Sequence, residues 1–301
     1  MHLGRLATLR EVADRGTIAA AADALHLTPS AVSQQLAALE RELGHRLVEP
    51  DGRTIRLTPV ASVLVDRAGA IFAEVELTRA ELDAHVAGER AQIGIAAFAT
   101  ALSAIVAPVA GRLRVEAPGV QLRVEEAEAP EAFDALVRQD IDLVVAMEAP
   151  GAPPRDDPRI ARRELMRDRL DAVLPAGHPL SAAREVRLAD LAAEPWVAPL
   201  EGWSCERVVL GACQAGGFSP RIAHRSTDWG AVVSLVEAGL GVALVPRLAR
   251  QVPGPGVAVR PLAGEPPCRH LFVAWRRGAD AAPALRAVID LLAEQARELS
   301  D

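Results

Sequence analysis

The sequence has no lysine and no tyrosine, and it has few cysteines and few aromatic residues. All 33 basic residues are arginine, a bias typical of a GC-rich bacterial genome. Three cysteines in 301 residues do not suffice for a disulfide framework, so we expect a protein of the reducing cytoplasm. Because 50% of the residues are hydrophobic and 24% are charged, the disordered and fibrous classes are excluded.

The sequence also lacks a continuous apolar segment of the kind that targets or anchors a protein. The first five residues contain no apolar core, so we expect no signal peptide. Residues 93–110 are nearly all apolar and approach the length of a short membrane span. This run contains Gly94, Thr100, Ser103 and Pro108, and we interpret it as a buried strand followed by a buried helix. No membrane partner is expected.

An excess of basic charge is missing as well. The net charge is −7, which argues against a protein that coats nucleic acid without specificity. Residues 1–58 hold 7 arginines and 7 acidic residues, so any DNA affinity of this part must come from individually placed contacts. Charge alone neither indicates nor excludes a DNA partner.

The first 58 residues have the boundary signals of three short helices and a hairpin. Gly16 ends an amphipathic helix that begins at Leu3, and Thr17 and Thr28 are N-cap residues for the next two helices. Pro29 fits the first turn of the third helix, where a missing N–H costs little. A turn-rich stretch, residues 50–53, separates two short predicted strands at 46–49 and 54–57.

A long helix is predicted from residue 59 to residue 87. Its apolar positions recur about every 3.6 residues and include Leu64, Ile71, Val75 and Leu82. No neighbour within residues 1–58 is long enough to cover this stripe. A partner chain is the expected cover, so we interpret the helix as a dimerisation element.

Residues 91–301 alternate strand and helix, which predicts an α/β sheet with mostly parallel strands. The apolar runs of strand length are residues 93–97, 120–125, 143–147, 170–174, 241–245 and 271–275. Helical patterns lie between them at residues 131–138, 208–214 and 229–238.

The third predicted helix carries small and polar side chains on its early exposed positions. With a short connection from the second helix, this arrangement is typical of a helix-turn-helix that enters the DNA major groove. The side chains of Ser30, Ser33 and Gln34 reach base edges or phosphate in such a geometry, and Arg53 at the hairpin tip suits the DNA backbone. A helical bundle that binds another protein is the alternative interpretation of this pattern.

These residues resemble the winged helix-turn-helix of LysR-type transcriptional regulators. The similarity runs through residues 16–36, 39–40 and 42–44 and continues in Arg53 and residues 56–59. Further matches follow in the family's order at residues 178–180, 188–191, 215–218 and 236–246. The resemblance therefore extends over essentially the whole chain. It departs at Val48, Glu49 and Pro50, where the family has Phe-x-Arg, so an arginine of the wing is missing.

The resemblance implies an α/β effector domain preceded by a mostly α winged helix-turn-helix domain and a long linker helix. The implied domains are residues 1–58 (helix-turn-helix about 18–37), 59–88 for the linker and dimerisation helix, and 91–301 for the effector domain. The effector domain divides into two subdomains like those of periplasmic binding proteins, the first about 91–162 and 268–301 and the second about 163–267.

The resemblance also implies site residues. DNA-binding residues are Thr28, Pro29, Ser30, Ser33, Gln34 and Arg53. Effector-binding residues between the subdomains are Phe98, Thr100, Ala101, Glu126, Met147, Trp203, Ser204, Thr227, Trp229 and Pro246. Thr100 at a helix start suits an anion, although a plain helix cap explains it equally well. Trp203 and Trp229 suit an aromatic effector, although structural packing explains them as well.

The function implied is a sequence-specific DNA-binding transcriptional regulator, not an enzyme, that is switched by a small molecule bound between the subdomains. Expected partners are a double-stranded DNA operator, an effector of unidentified chemistry, further copies of the chain in a homodimer or homotetramer, and RNA polymerase if the protein is an activator. Neither a cofactor nor a metal is expected, because the histidines have no metal-ligand spacing and the Gly239-Leu240-Gly241 run lacks a third glycine.

Three alternatives stay open. The first is a constitutive architectural DNA binder without a ligand. The second is a redox sensor that uses Cys205 and Cys213. The third is an enzyme. An enzyme would rely on the acidic side chains of Glu126, Glu128 and Glu131, but no nucleophile or phosphate loop accompanies them.

Overall fold

The computed structural model describes residues 2–51, 54–86, 91–249 and 254–300. Its N-terminal module consists of three helices and a hairpin: α1 (Leu3–Arg15), α2 (Ile18–Ala24), α3 (Pro29–Leu43), β1 (Val48–Asp51) and β2 (Thr54–Leu57). The three predicted helices are confirmed. The first hairpin strand is two residues further along the chain than predicted, because β1 pairs through Pro50 and Asp51 with β2.

Local capping explains the helix boundaries of this module. The hydroxyl of Thr17 accepts a hydrogen bond from the backbone N–H of Ala20, and Thr28 does the same for Ala31. Each contact satisfies a donor that the first helical turn leaves free. Gly16 ends α1 in the left-handed region at φ 72°, where glycine is favoured.

The long predicted helix is α4 (Pro59–Val86). The expectation that only a partner chain covers its apolar stripe is wrong for its first turns. Ala61 is fully buried in the core of the N-terminal module, and Leu64 and Val65 pack against the same core. The stripe therefore has a neighbour within the chain, because the three helices and the hairpin together form a surface that no single element provides.

The middle of α4 lies against the second half of the chain. A Cβ added to Gly278 would lie 2.5 Å from the carbonyl oxygen of Ala73, and one added to Gly69 would lie 2.9 Å from the Pro158 side chain. Only glycine permits so close an approach of the two backbones. The helix thus connects the N-terminal module to the larger domain by direct packing.

The larger domain contains a seven-stranded sheet whose order is β10-β6-β11-β5-β3-β4, with β9 paired to β6. Its strands are β3 (Ala91–Ala97), β4 (Val120–Glu126), β5 (Leu143–Met147), β6 (Ile160–Pro175), β9 (Ala243–Pro246), β10 (Val257–Arg260) and β11 (Cys268–Arg276). A separate parallel pair consists of β7 (Pro195–Ala198) and β8 (Arg221–Arg225). The strands β7, β8 and β10 were not predicted from the sequence pattern.

The helices of this domain are α5 (Ala99–Ala101), α6 (Ala107–Glu116), α7 (Glu131–Arg138), α8 (Ser204–Ala215), α9 (Trp229–Glu237) and α10 (Pro283–Glu298). A π-helical turn, Leu102–Val106, joins α5 to α6. The apolar run at 93–110 is therefore a strand followed by a helix, as predicted. No helix of the described ranges is long and apolar enough to cross a membrane.

The prediction of a mostly parallel sheet is wrong. Only β3, β4 and β5 run parallel, whereas β6 pairs antiparallel with β9, β10 and β11, and β11 pairs antiparallel with β5. The reason is that β6 and β11 carry the chain between the two subdomains in opposite directions. Residues 160–169 of β6 pair with β11, and residues 170–175 pair with β9 and β10.

The β6–β11 ladder contains one irregularity. Leu271 of β11 opposes Met166, but the next residue, Phe272, opposes Glu164, so Leu165 is an extra residue on β6. Such a bulge bends a strand and increases its twist. It lies near the point where β6 leaves one subdomain for the other.

Candidate nucleic-acid interface and ligand cleft

The exposed face of α3 brings together the predicted DNA-binding residues. Thr28, Pro29, Ser30, Ser33 and Gln34 are all exposed. The opposite face is fixed in the module core by Val32, Leu36 and Leu39, which are nearly inaccessible to solvent. The three-to-four spacing of these apolar residues thus turns the polar side chains outward.

Several hydroxyl groups on this face already have partners within the helix. The hydroxyls of Thr28 and Ser30 lie 3.0 Å apart, and the Ser33 hydroxyl donates to the carbonyl oxygen of Pro29 at 3.0 Å. These bonds hold the small side chains close to the helix surface. Gln34, whose amide has both donors and an acceptor, is the longest polar side chain at the start of the face.

Arg41 is a further candidate that the sequence interpretation missed. It is exposed and lies seven residues after Gln34, which is two helical turns along the same face of α3. Its spacing of seven residues from Gln34 could have identified it from the sequence. A guanidinium at this place suits a DNA phosphate.

The hairpin has less free positive charge than the family resemblance implies. Arg56 donates to the Glu49 carboxylate at 2.9 Å, so one wing arginine is neutralised by an acid that stands where the family has its Phe-x-Arg. The Glu40 carboxylate accepts from the backbone N–H of Leu47 at 2.7 Å and fixes the hairpin against α3. Arg53, the predicted backbone contact, lies outside the described residues.

Three of the predicted effector residues meet in a cleft between the subdomains. Phe98, Met147 and Ser204 line a common cavity together with Glu128. Its volume is about 10 Å³, roughly the space that holds one water molecule. In this conformation the cavity is therefore too small for a metabolite.

The other predicted effector residues are not among those that line this cavity. Ala101 is fully buried in the main hydrophobic core. Trp229 packs against the main core and that of the second subdomain. Pro246 is buried, whereas Glu126 and Thr227 are exposed, and Trp203 is 39% exposed.

A buried ion pair that the sequence did not reveal lies behind this cleft. Arg269 on β11 and Asp168 on β6 are register partners, and each side chain is at most 1% exposed. The Arg269 Nε donates to Asp168 Oδ2 at 2.9 Å, and its Nη2 donates to the same oxygen and to the Thr100 hydroxyl at 3.0 Å. The guanidinium also lies over the Phe98 ring, 5.0 Å from its centroid.

This ion pair joins both subdomains. The other oxygen of Asp168, Oδ1, accepts from the backbone N–H of Leu248 at 3.1 Å, just beyond β9 of the second subdomain. Thr100, on the first subdomain, is 8% exposed and is held by Arg269. Its hydroxyl binds an effector only if it replaces or shares this contact.

Glu128 and Ser204 face each other across the cleft. Burial raises the pKa of Glu128, while the hydroxyl and backbone N–H of Ser204 and the nearby charge of Arg269 act in the opposite direction. Ser204 is the first residue of α8, where free N–H groups favour an anion. The carboxylate therefore bridges the subdomains at a cost in desolvation.

Cys205 and Cys213 are poorly arranged for redox chemistry. Burial raises the pKa of Cys205 and of Cys213 to about 11, which suppresses the reactive thiolate at neutral pH. The two residues lie eight positions apart on α8, a distance of roughly 12 Å at the helical rise, too long for a disulfide. No group of three or more His, Cys, Asp or Glu in the described part of the chain is placed to hold a metal ion.

Comparison with known families gives two matches. Residues 3–62 match the family described as bacterial regulatory helix-turn-helix protein, lysR family. Residues 87–297 match the family described as LysR substrate binding domain. The residues between the two matches, 63–86, all belong to α4.

Individual proteins are similar over most of their length. The transcriptional dual regulator GltC of Bacillus subtilis is 30% identical over 247 residues, which cover 82% of this chain and 81% of that protein. A probable hydrogen peroxide-inducible genes activator of Mycobacterium avium is 28% identical over 239 residues, covering 79% of this chain and 75% of that protein. A solved full-length OxyR variant of Pseudomonas aeruginosa superposes with a TM-score of 0.62 at 25% identity, covering 99% of this chain and 95% of that one.

Replacing Arg269 by Met should lower the free energy of unfolding by about 3–5 kcal/mol, because it leaves the buried Asp168 charge without its partner. The double substitution Arg269→Met with Asp168→Met should recover most of that loss, since it removes both buried charges. Chemical unfolding of the full chain measures both. A double variant as unstable as the single one would contradict this account.

Replacing Glu128 by Gln should raise Tm at pH 8 but not at pH 4. A carboxyl whose pKa is raised on folding loses stability as the pH rises above the ordinary glutamate value of about 4.3, and glutamine avoids that loss. The exposed Glu185→Gln is the matched control, since Glu126 itself acts on the pKa of Glu128, and it should leave Tm unchanged at both pH values. An equal effect of Glu128→Gln at pH 4 and pH 8 would speak against a buried charge.

Proposed function

The chain belongs to the LysR family of bacterial transcriptional regulators, and on this premise we propose which of its residues bind DNA, effector and partner chain. As a family member it is a DNA-binding regulator with an effector domain. The observation that carries the proposal is the α3 face, which presents a capped, exposed run of small and polar residues on a rigid helical core.

For DNA, we propose that α3 enters the major groove with Ser30, Ser33 and Gln34 towards base edges. Thr28 and Pro29 form the helix start near the phosphates, and Arg41 adds a phosphate contact further along the face. Arg53 keeps its role as a backbone contact at the hairpin tip. The exposure of the α3 side chains supports this arrangement, and so does the spacing of Gln34 and Arg41.

For the effector, we propose a small molecule in the cleft lined by Phe98, Met147 and Ser204, with Thr100 and Arg269 at its charged end. Closure of the cleft to about 10 Å³ implies that the effector binds an open conformation. A ligand that binds only one of two conformations shifts the population towards it, and about 1.4 kcal/mol of coupling changes operator occupancy tenfold.

For assembly, we propose that α4 pairs with the same helix of a second chain through its free apolar positions. Leu82 is 60% exposed, and Ile71 and Val75 are half-buried on the same helical face. Leu64 contributes less than the sequence suggested because it packs on its own module. We also propose that dimers assemble into tetramers through the effector domains. If the protein is an activator, RNA polymerase is a further partner.

We further propose a cytoplasmic protein without catalytic activity. A regulator meets its operator in the cytoplasm of a bacterium. Of the three glutamates considered for acid–base chemistry, Glu126 and Glu131 are exposed, and Glu128 is engaged across the cleft. The redox alternative is disfavoured by the two buried thiols on α8, although OxyR is among the similar structures.

Replacing Gln34 by Ala should weaken binding to the specific operator by about 1–3 kcal/mol and relax base preference, because the side chain reads base edges. Replacing Arg41 by Ala should weaken binding to all DNA sequences equally, because it removes one phosphate contact. It should also reduce the slope of log K against log salt concentration by about one unit. Equilibrium titration of operator and scrambled DNA at several salt concentrations distinguishes the two. Equal loss on both DNAs for the Gln34 variant would refute its role as a base reader.

Replacing Leu82 by Asp should raise the dissociation constant of the dimer at least about tenfold, since the seam would bury an unpaired charge. The matched control is Ala70→Asp, an exposed position on another face of α4. Sedimentation equilibrium of the full chain measures the change. If the Leu82 variant dimerises as tightly as the control, the helices pair through another surface.

A further inference from the structure

A second cavity lies far from the inter-subdomain cleft, at the junction of the N-terminal module, α4 and the first subdomain. Its volume is about 450 Å³, within the range of small-molecule sites. Its walls come from α1, α4, the end of α7 and the ends of β6 and β11. They include Ala7, Arg10, Phe72, Val137 and Ile160.

Arg10 is the unusual residue of this cavity. It is 8% exposed, yet Nε and Nη1 of its guanidinium have no hydrogen-bond partner within the described residues. The guanidinium lies over the Phe72 ring, 4.3 Å from its centroid. Burial and the nearby charge of Arg159 lower the pKa of Arg10 to about 10, so it is charged at neutral pH. Buried donors without partners are rare in native proteins because each costs desolvation.

The acidic residues around the cavity are bound to other arginines. Glu11 pairs with Arg15 at 2.8 Å, and Glu76 pairs with Arg276 at 3.0 Å. Asp140 pairs with Arg138 at 2.8 Å. Five arginines and three acids line the cavity, and the carboxylates of Asp14, Asp157 and Asp142 behind the lining pair with two of these arginines. Two of the five arginines have no carboxylate within hydrogen-bond distance among the described residues. Arg277 donates instead to the backbone carbonyl oxygens of Pro158, Asp157 and Ile160, whereas Nε and Nη1 of Arg10 have no partner.

The rest of the wall is largely apolar, with Ala7, Leu25, Leu27, Phe72, Ala73, Val137 and Ile160. We propose that this junction cavity is a second ligand site, which takes a small carboxylate with a short apolar body. The carboxylate binds the Arg10 guanidinium after a rotation of this side chain, because Nε and Nη1 are buried and do not face the cavity surface, and the body lies against Phe72 and the aliphatic side chains. A charge-assisted hydrogen bond to guanidinium is among the strong contacts available to a carboxylate.

Such a ligand contacts three parts of the chain at once. Arg10 belongs to the N-terminal module, Phe72 to α4, and Val137 to the first subdomain. Binding at the junction therefore stabilises their mutual arrangement, and it does so without the inter-subdomain cleft. The proposal stands independently of the DNA-binding and effector assignments above.

Calorimetric titration of the full chain with hexanoate tests the site. Hexanoate should bind saturably and raise Tm, whereas hexylamine, which has the same chain and the opposite charge, should not bind. Arg10→Met should weaken hexanoate binding at least tenfold. The variant keeps side-chain volume and removes a buried charge, so folding should be preserved. Arg5→Met is the matched control, because Arg5 lies on the same helix, pairs with Glu42 at 3.3 Å and is outside the cavity wall.

A second variant guards against misfolding. Ala7→Phe fills the cavity without changing any charge and should also abolish hexanoate binding while circular dichroism stays unchanged. A crystal of the full chain with 6-bromohexanoate should show its anomalous bromine signal in the junction cavity. The proposal is overturned if hexanoate does not bind saturably, if both variants bind it like the unmodified chain, or if the bromine lies only in the inter-subdomain cleft.

Discussion

The buried ion pair between Arg269 and Asp168 is the constraint that links the register of the two crossover strands to both walls of the cleft, because a shift of register would leave both charges buried and unpaired. Two charges removed from water are costly unless every donor and acceptor is met. Here the partners come from both crossover strands, from Thr100 in the first subdomain and from the Leu248 backbone in the second. The pair therefore fixes the register of β6 against β11 and holds both walls of the cleft.

Arginine also determines how the parts of the chain meet. Arg276 donates to the Glu76 carboxylate on α4, to Asp142 and to the carbonyl oxygens of Leu136 and Ile141. A planar guanidinium with five donors serves four acceptors in one place, whereas an ammonium has three donors and no fork. A junction of this kind does not need lysine, because one arginine bonds carboxylates and backbone carbonyl oxygens at the same time.

The sequence was sufficient for features that depend on near neighbours. Helix caps such as Thr17 and Thr28 act over three residues, so α2 and α3 were predicted with nearly correct bounds. The direction of β6 was not predictable from periodicity, which is the same for parallel and antiparallel strands. Asp168 and Arg269 are 101 residues apart, and nothing local marks them as partners. The exposed polar face of α3 followed from the pattern of one helix, whereas the grouping of the cleft residues required the tertiary fold.

The bulge at Leu165 has a mechanical consequence for the two subdomains. They are joined by β6 and β11, which lie side by side and share a ladder of backbone hydrogen bonds. Shear between the strands would break this ladder, but twist about their common axis leaves it intact. The extra residue makes the ladder most compliant near the point of crossing. A motion that separates the cleft walls and preserves this ladder would therefore twist the strand pair rather than slide one strand along the other.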